Sequence, residues 1–326
     1  MEATERYFQV LDEVLRGKRW STDTDVLRLA ALTVMSCPDS DAVARTRATA
    51  VRLGKKPSPL RSMNAGLRLA LAAMLVRRRA PVDTVLDQVE RGLAVFRRHG
   101  LRHRGAHPRL AAMMLALEGG GVDEPTVERM ATILHLWKKD HFFLTGIDDY
   151  LMAALHASRP DSPQAIGRRV EAIYQALRHE GMSRGNQLQL ASHLLALASR
   201  SPGEIARRFG TWAEALRERG QRIWSSQYDE VALLVLSGVR IDWGATRVIA
   251  LRDALRARKP RPHRSMAFSI ASGLLVAERL ASSEDGREAR TAATLRAIQS
   301  LIEAQQAVMV AAIAATSTAV AAGGAS

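Results

Sequence analysis

Seven times along the chain, at an almost constant interval, a run of apolar and small residues recurs, and this repetition restricts the fold more than any other feature. The runs are LRLAALTVM from Leu27, LRLALAAML from Leu67, PRLAAMMLAL from Pro108, DYLMAALHA from Asp149, LQLASHLLALA from Leu188, DEVALLVLS from Asp229 and MAFSIASGLLVA from Met266. With Leu29, Leu69, Leu110, Leu151, Leu190, Val231 and Ile270 as markers, the spacings are 40, 41, 41, 39, 41 and 39 residues. A period near 40 with two helices per unit is the sequence signature of HEAT-like helical arrays. One such pair cannot bury its apolar faces alone, so neighbours must stack on a shared core.

Between the apolar runs lies a second kind of helix with a narrower stripe. Ile166, Val170, Ile173, Tyr174 and Leu177 fall at steps that share one helical face, and Ile205, Phe209, Trp212, Ala213 and Leu216 repeat those steps. Start signals agree: Ser162-Pro163 and Ser201-Pro202 each put a hydroxyl cap before a first-turn proline, and Glu204 completes a capping box with Ser201. Gly100, Gly181 and Gly220 stand where helices end in a left-handed residue. No alternating strand pattern of useful length occurs. The fold class is therefore all-α, with tandem antiparallel helix pairs of about 40 residues forming a HEAT-like α-solenoid or curled array. No Pro-, Gly- or Ser-rich linker divides it, so residues 1–326 read as one array of about seven pairs, with Gly119-Gly120-Gly121 as a joint between the third and fourth units.

Charge narrows the partner classes. Lys and Arg total 47 against 33 Asp and Glu, a formal excess of +14, and all but six of the cations are arginine. Such a field favours nucleic acid, anionic membrane or acidic protein, although arginine is also simply a good helix former. Cys37 stands alone, which excludes an intramolecular disulfide and a cysteine-based zinc site. The acidic, amphipathic N-terminus lacks the pattern of a secretion signal, and a reducing cytoplasm is the expected location. Residues 304–326 carry no charge and are dominated by alanine, with Thr316, Ser317 and Thr318 inside. They read as a C-terminal helix and tail packed on protein, since a membrane span needs ~20 strongly apolar residues.

Four features bear on chemistry. The segment His141–Tyr150 (HFFLTGIDDY) holds Asp148 and Asp149 near a histidine, a pattern suited to a divalent metal or acid–base work. The structural reading of the same residues is a cap: Thr145 accepts from the backbone of the next helix, Asp148 answers it, and both carboxylates favour the helix dipole. Asn186, Gln189 and His193 share one face of the following inner helix, and buried polar groups there must form a network or line a groove. His99, His103 and His107 are spaced by four, but Gly100, Gly105 and Pro108 break the helix a metal site would need. GxSxG, GxxxxGK[ST], HExxH and GxGxxG motifs are absent, and no cofactor is expected.

The fourth feature is distributed. Outer helices end in cations, among them Arg97, Arg98, Lys138, Lys139, Arg217, Arg219, Arg222, Arg258, Lys259 and Arg261. Cations relieve the dipole at a helix C-terminus by ~0.3–1 kcal/mol, but stacking would also align them into a basic edge able to follow a phosphate backbone. Aromatic residues make up only 5% of the chain and most fall on apolar faces, which argues against base stacking.

The segments HFFLTGIDDY and GNQLQLASHLLAL, together with the small-residue tail, resemble a bacterial family of uncharacterised all-helical proteins. The resemblance implies a helical cytoplasmic protein with no activity to carry over, and marks His141, Asp148, Asp149, Asn186 and Gln189 as a shared feature. Three readings follow. The first is an interaction or scaffold protein that binds a protein partner or itself; the second is a nucleic-acid binder using the arginine edge. The third is a hydrolase or metal enzyme centred on Asp148 and Asp149.

Overall fold

The apolar period is realised as helices. The computed structural model describes residues 3–16, 24–37, 39–55, 57–118 and 121–281. The uncharged tail and part of the glycine joint lie outside the described residues. Among those described there are fourteen α-helices, two short 3-10 turns and no strand. The outer helices are α1 (Ala3–Arg16), α3 (Ala42–Leu53), α5 (Val82–Arg98), α7 (Glu124–Asp140), α9 (Pro163–His179), α11 (Pro202–Glu218) and α13 (Ile241–Ala257). They alternate with inner helices α2 (Thr24–Val34), α4 (Ala65–Arg77), α6 (Ala106–Glu118), α8 (Tyr150–Ala157), α10 (Asn186–Leu195), α12 (Tyr228–Leu236) and α14 (Arg264–Ala281). The protein is an all-α array of packed, adjacent helix pairs.

The described chain forms two compact units, one up to Leu86 and one from Asp87 onward. In the first, α1 packs on α2 and α3, and α4 packs on both α2 and α3. Asn64 starts α4 by accepting a hydrogen bond from the Leu67 amide at 2.8 Å. In the second unit each inner helix from α8 to α14 packs on its own outer helix, and the outer helices α7, α9, α11 and α13 pack in succession. The inner helices α6, α8, α10, α12 and α14 also follow one another in contact, which gives that unit its continuous core.

Five of the seven markers are buried: Leu29, Leu110, Leu151, Val231 and Ile270. Leu69 and Leu190 are half-buried. At both positions the face turned inward belongs to their neighbours, Ala70 and Leu71 in one case and Gln189 and Ala191 in the other. The caps hold as expected. Ser162 accepts from the Ala165 amide at 3.2 Å, and Ser201 and Glu204 close their box from both sides. Gly181 and Gly220 end α9 and α11 at φ 86° and 76°, a region in which a side chain is strained. Gly244 has another role: a Cβ there would lie 2.5 Å from the Trp212 ring, so α13 can approach α11 only without one.

Three arginines of the second unit are built into the packing. Arg129 of α7 donates to the carbonyls of Ala157, the last residue of α8, and of Arg159 and Asp161 beyond it. Forty residues on, Arg169 of α9 does the same for Ala196, Ala198 and Arg200, which follow α10. Arg208 of α11 donates to the Val239 carbonyl after α12. Each guanidinium takes up the carbonyls that a helix C-terminus leaves without partners.

Candidate functional site

Two regions of the second unit gather the residues singled out in the sequence, one buried and one exposed. The buried region begins at a 3-10 turn, Ile147–Asp149, that leads into α8. Gly146 is its cap, and the Gly146 amide donates to Asp149 Oδ2 at 2.8 Å. The expected cap by Thr145 is thus not what forms. Thr145 Oγ1 instead accepts from Gln189 Nε2 of α10 at 3.0 Å. The extra 3-10 turn moves the start of the helix along, so the carboxylate of Asp149 meets the free amide and the threonine faces sideways.

Asp148 and Asp149 diverge. Asp148 is exposed and lies 3.3 Å from His107 Nε2, whereas Asp149 is 8% exposed. Burial pushes the Asp149 carboxyl up to about 7, with the Gly146 amide pulling it down and Asp148 adding to the rise. Its Oδ1 stands 3.5 Å from Nδ1 of His193, which is fully buried. That distance is too long for a good hydrogen bond, and neither ring nitrogen of His193 has a hydrogen-bond partner. The His193 ring stacks on Trp137 of α7, with centroids 3.7 Å apart and planes at 15°. His156 of α8 sets its edge against the same indole and hydrogen-bonds the His193 carbonyl at 2.9 Å through Nε2. Burial holds His156 down at about 4 despite that bond, and holds His193 well below the usual range, helped by the nearby His156 and His141.

Both histidines are therefore neutral near pH 7, and the cluster joins α7, α8 and α10 through an indole, two imidazoles and a carboxyl. Of the residues expected to share this face, Gln189 and His193 take part, while Asn186 is exposed at the first position of α10. His141 turns to Glu171, at 2.7 Å, and rests against Tyr174. Among the described residues no three His, Cys, Asp or Glu side chains group as a metal site. His99 and His107 each face a single carboxylate, Glu124 at 3.4 Å and Asp148 at 3.3 Å. A cleft of about 780 Å³ does exist, but in the first unit and without any residue of this cluster. Its charges neutralise one another, since Asp39 pairs with Arg45 at 2.9 Å and Arg79 at 2.7 Å.

The exposed region is the line of loops from outer to inner helices. Hydrogen bonds tie the loops in sequence. Tyr150, at the start of α8, accepts through its hydroxyl from the Arg102 amide of the preceding loop at 3.0 Å. Thr145 of the next loop meets Gln189 at the start of α10, and Tyr228 at the start of α12 accepts from the Ser183 amide at 3.1 Å. Four loops thus lie side by side. They carry the exposed aromatics Phe142 (63%), Phe143 (96%) and Trp224 (57%). Lys138 lies 5.0 Å from the centre of the Phe142 ring and Arg222 lies 4.1 Å from that of Trp224.

Cations on these loops fall into two groups. Arg98 pairs with Glu124, Arg217 with Glu214, and Arg219 with Asp242, so these three are compensated. Arg97, Arg104, Lys139, Arg184, Lys259 and Arg261 are exposed and have no acidic partner among the described residues. Arg258 follows the last residue of α13 and has an interaction of its own.

Residues 58–307, most of the chain, match the family described as Protein of unknown function (DUF4003). The chain belongs to that family. It is also 28% identical over 181 residues to Uncharacterized protein YeaA of Bacillus subtilis (strain 168), which covers 54% of this chain and 52% of the relative. The chain thus spans about half the length of that relative. No solved structure matches. The DUF4003 match covers both regions described above, from the Trp137–His193 stack to the aromatic loops.

Three contributors escaped the sequence reading. Trp137 and His156 sit on expected apolar faces, and only their neighbours make them part of a polar cluster. Nothing in the sequence analysis sets Phe142, Phe143 and Trp224 apart from the aromatics of the apolar faces. Two signals existed: Phe142 and Phe143 follow the last helical position of α7, and Trp224 lies in a loop four residues beyond Gly220.

Proposed function

We propose that this protein is a cytoplasmic, non-catalytic helical-repeat interaction protein of HEAT-like type, and that its working surface is the line of loops in the second unit. The observation that carries the reading is the exposure of Phe142, Phe143 and Trp224 on loops that each run into a buried tyrosine, whose hydroxyl accepts from the neighbouring loop. Aromatic side chains standing in water on an ordered edge, with cations beside them, are the composition of interface anchors. The carboxylates that suggested an enzyme support it less well: Asp148 and Asp149 point apart, and the buried one faces an imidazole stacked on an indole.

The test is a photo-crosslinking amino acid placed at Phe143, at Trp224 and, as a control, at exposed Glu128 on α7. In cells, adducts of one discrete size should form from Phe143 and Trp224 and not from Glu128. Equal yields at all three positions, or none, would remove this reading. The changes Phe142→Ser, Phe143→Ser and Trp224→Ser should leave the melting temperature within a few degrees of the parent, since exposed positions contribute little to stability.

A further inference from the structure

Building on that reading, we infer that the loop edge of the second unit binds single-stranded nucleic acid, by stacking bases on Phe143 and Trp224 and pairing phosphates with the uncompensated cations between and beside them. The three classes of partner that the charge allows make different demands. A protein partner needs a contiguous apolar centre depleted of charge, with the aromatic anchors gathered in it. Here the anchors are divided between loops two steps apart, with the loop of Arg184 between them. Helices packing ~8–10 Å apart put them roughly 20 Å from each other. That gap is cationic, not apolar: Lys139 and Arg184 stand in or next to it without acidic partners among the described residues.

Duplex nucleic acid would use the cations but leave the rings idle, because its bases are stacked inside. A single strand uses both, since every base has a face to stack and every linkage carries a phosphate. Lys138 and Arg222 add to this by placing a positive charge next to the ring on which a base would lie. Of the carboxylates near the edge, Glu214 holds Arg217, Glu124 holds Arg98, Asp242 holds Arg219 and Asp148 faces His107. Exposed Asp140 and Glu180 are the acids a phosphate chain would meet beside Lys139 and Arg184.

The experiment uses the full chain and fluorescein-labelled 20-mers of dT and of U, with anisotropy read at 50 and 300 mM KCl. Both single strands should bind at the lower salt, more tightly than a mixed duplex of equal length. Phe143→Ala and Trp224→Ala should each weaken binding about tenfold, as loss of one stacked base does. Lys139→Glu with Arg184→Glu should weaken it for both strands and flatten the salt dependence, whereas Arg217→Gln with Glu214→Gln, which leaves the local charge unchanged, should change it little. Circular dichroism on each variant secures that the helices are intact. No binding at 50 mM KCl would overturn the inference, as would duplex binding equal to single-strand binding and indifferent to the aromatic changes. If a labelled poly-glutamate peptide binds and responds to the same substitutions while oligonucleotides do not, the partner is an acidic protein. In that case the nucleic-acid inference falls and the interaction surface stands, whereas absent crosslinks at Phe143 and Trp224 would remove the surface itself.

Discussion

The turn before α8 and the turn before α12, 78 residues later, solve one problem with different chemistry. Each is a 3-10 turn whose last residue accepts from the amide three positions earlier: Asp149 from Gly146 at 2.8 Å, Gln227 from Trp224 at 3.2 Å. Each is followed by a buried tyrosine whose hydroxyl accepts from the preceding loop. The acceptor is buried in both, but one is a carboxyl and the other an amide. The comparison teaches that the architecture needs an oxygen at this position and not a charge. The ionisable group at Asp149 is therefore an addition, faced by His193 on α10. In the second turn the buried carboxyls have moved along the helix. Asp229 and Glu230 lie just beyond Gln227; burial and Asp229 raise Glu230 well above its usual range, and Ser269 of α14 donates to it.

The largest effect should come from making the second turn like the first. Gln227→Glu adds a third buried carboxyl beside Asp229 and Glu230, and should cost ~3–5 kcal/mol at pH 8. Urea unfolding at pH 8 and pH 5 should show a smaller loss at the lower pH. An equal loss at both would mean that shape, not charge, distinguishes the turns.

The reverse change, Asp149→Asn, should stabilise at high pH. The folded protein holds the Asp149 proton up to about pH 7, while an unperturbed carboxyl releases it near 3.8. Its contribution is thus favourable below about pH 4 and is lost as pH rises to 7, by ~4 kcal/mol in full. At pH 8 the variant should exceed the parent by ~2–4 kcal/mol, and at pH 4 the two should agree within about 1 kcal/mol. The buried histidines work in the opposite sense. His156 is held at about 4 against an ordinary 6.5, so its contribution is present above 6.5 and lost as pH falls toward 4. Without the compensating carboxyl, Asp149→Asn should lose stability more steeply than the parent between pH 6.5 and 4.

Tyr150→Phe and Tyr228→Phe sharpen the comparison from the other side. Each removes a hydroxyl that accepts from a loop amide, and each should cost ~1 kcal/mol by thermal unfolding. A difference between them of more than about 1 kcal/mol would mean that the turns are not equivalent supports. The smallest effect belongs to Thr145→Ala. Its loss of ~0.5–1.5 kcal/mol should come from leaving Gln189 Nε2 without an acceptor, with helix content by circular dichroism unchanged and Thr145→Ser close to the parent.

These two turns also mark where sequence stops being sufficient. The seven helix pairs were legible because burial imposes a period, and Ser162, Ser201 and Glu204 were legible as caps because capping is local chemistry. The cap at Thr145 was not, since threonine and aspartate within four residues both offer an acceptor, and only the inserted 3-10 turn decides between them. Asn186 has the same helical phase as Gln189 but lies one turn nearer the end, where the face opens to water. Pairing among the cations at the helix ends was not legible. Arg217 and Arg219 look like the strongest members of the basic edge, yet carboxylates within reach compensate them, while Lys139 and Arg184 are left to act.

The arginine clamps bear on where a protease can enter. Arg200 is exposed and precedes Ser201, which by accessibility alone makes it a good site for trypsin. Its carbonyl oxygen, however, is bound by the guanidinium of Arg169 at 2.6 Å, together with those of Ala196 and Ala198. A protease must take that same carbonyl into its own oxyanion hole and draw several residues on either side into an extended strand. Cleavage after Arg200 therefore requires the end of α10 to leave α9 first, and its rate reports that separation and not surface exposure. The loop at Arg184, equally exposed and with no such clamp on its carbonyl among the described residues, should be cut long before it.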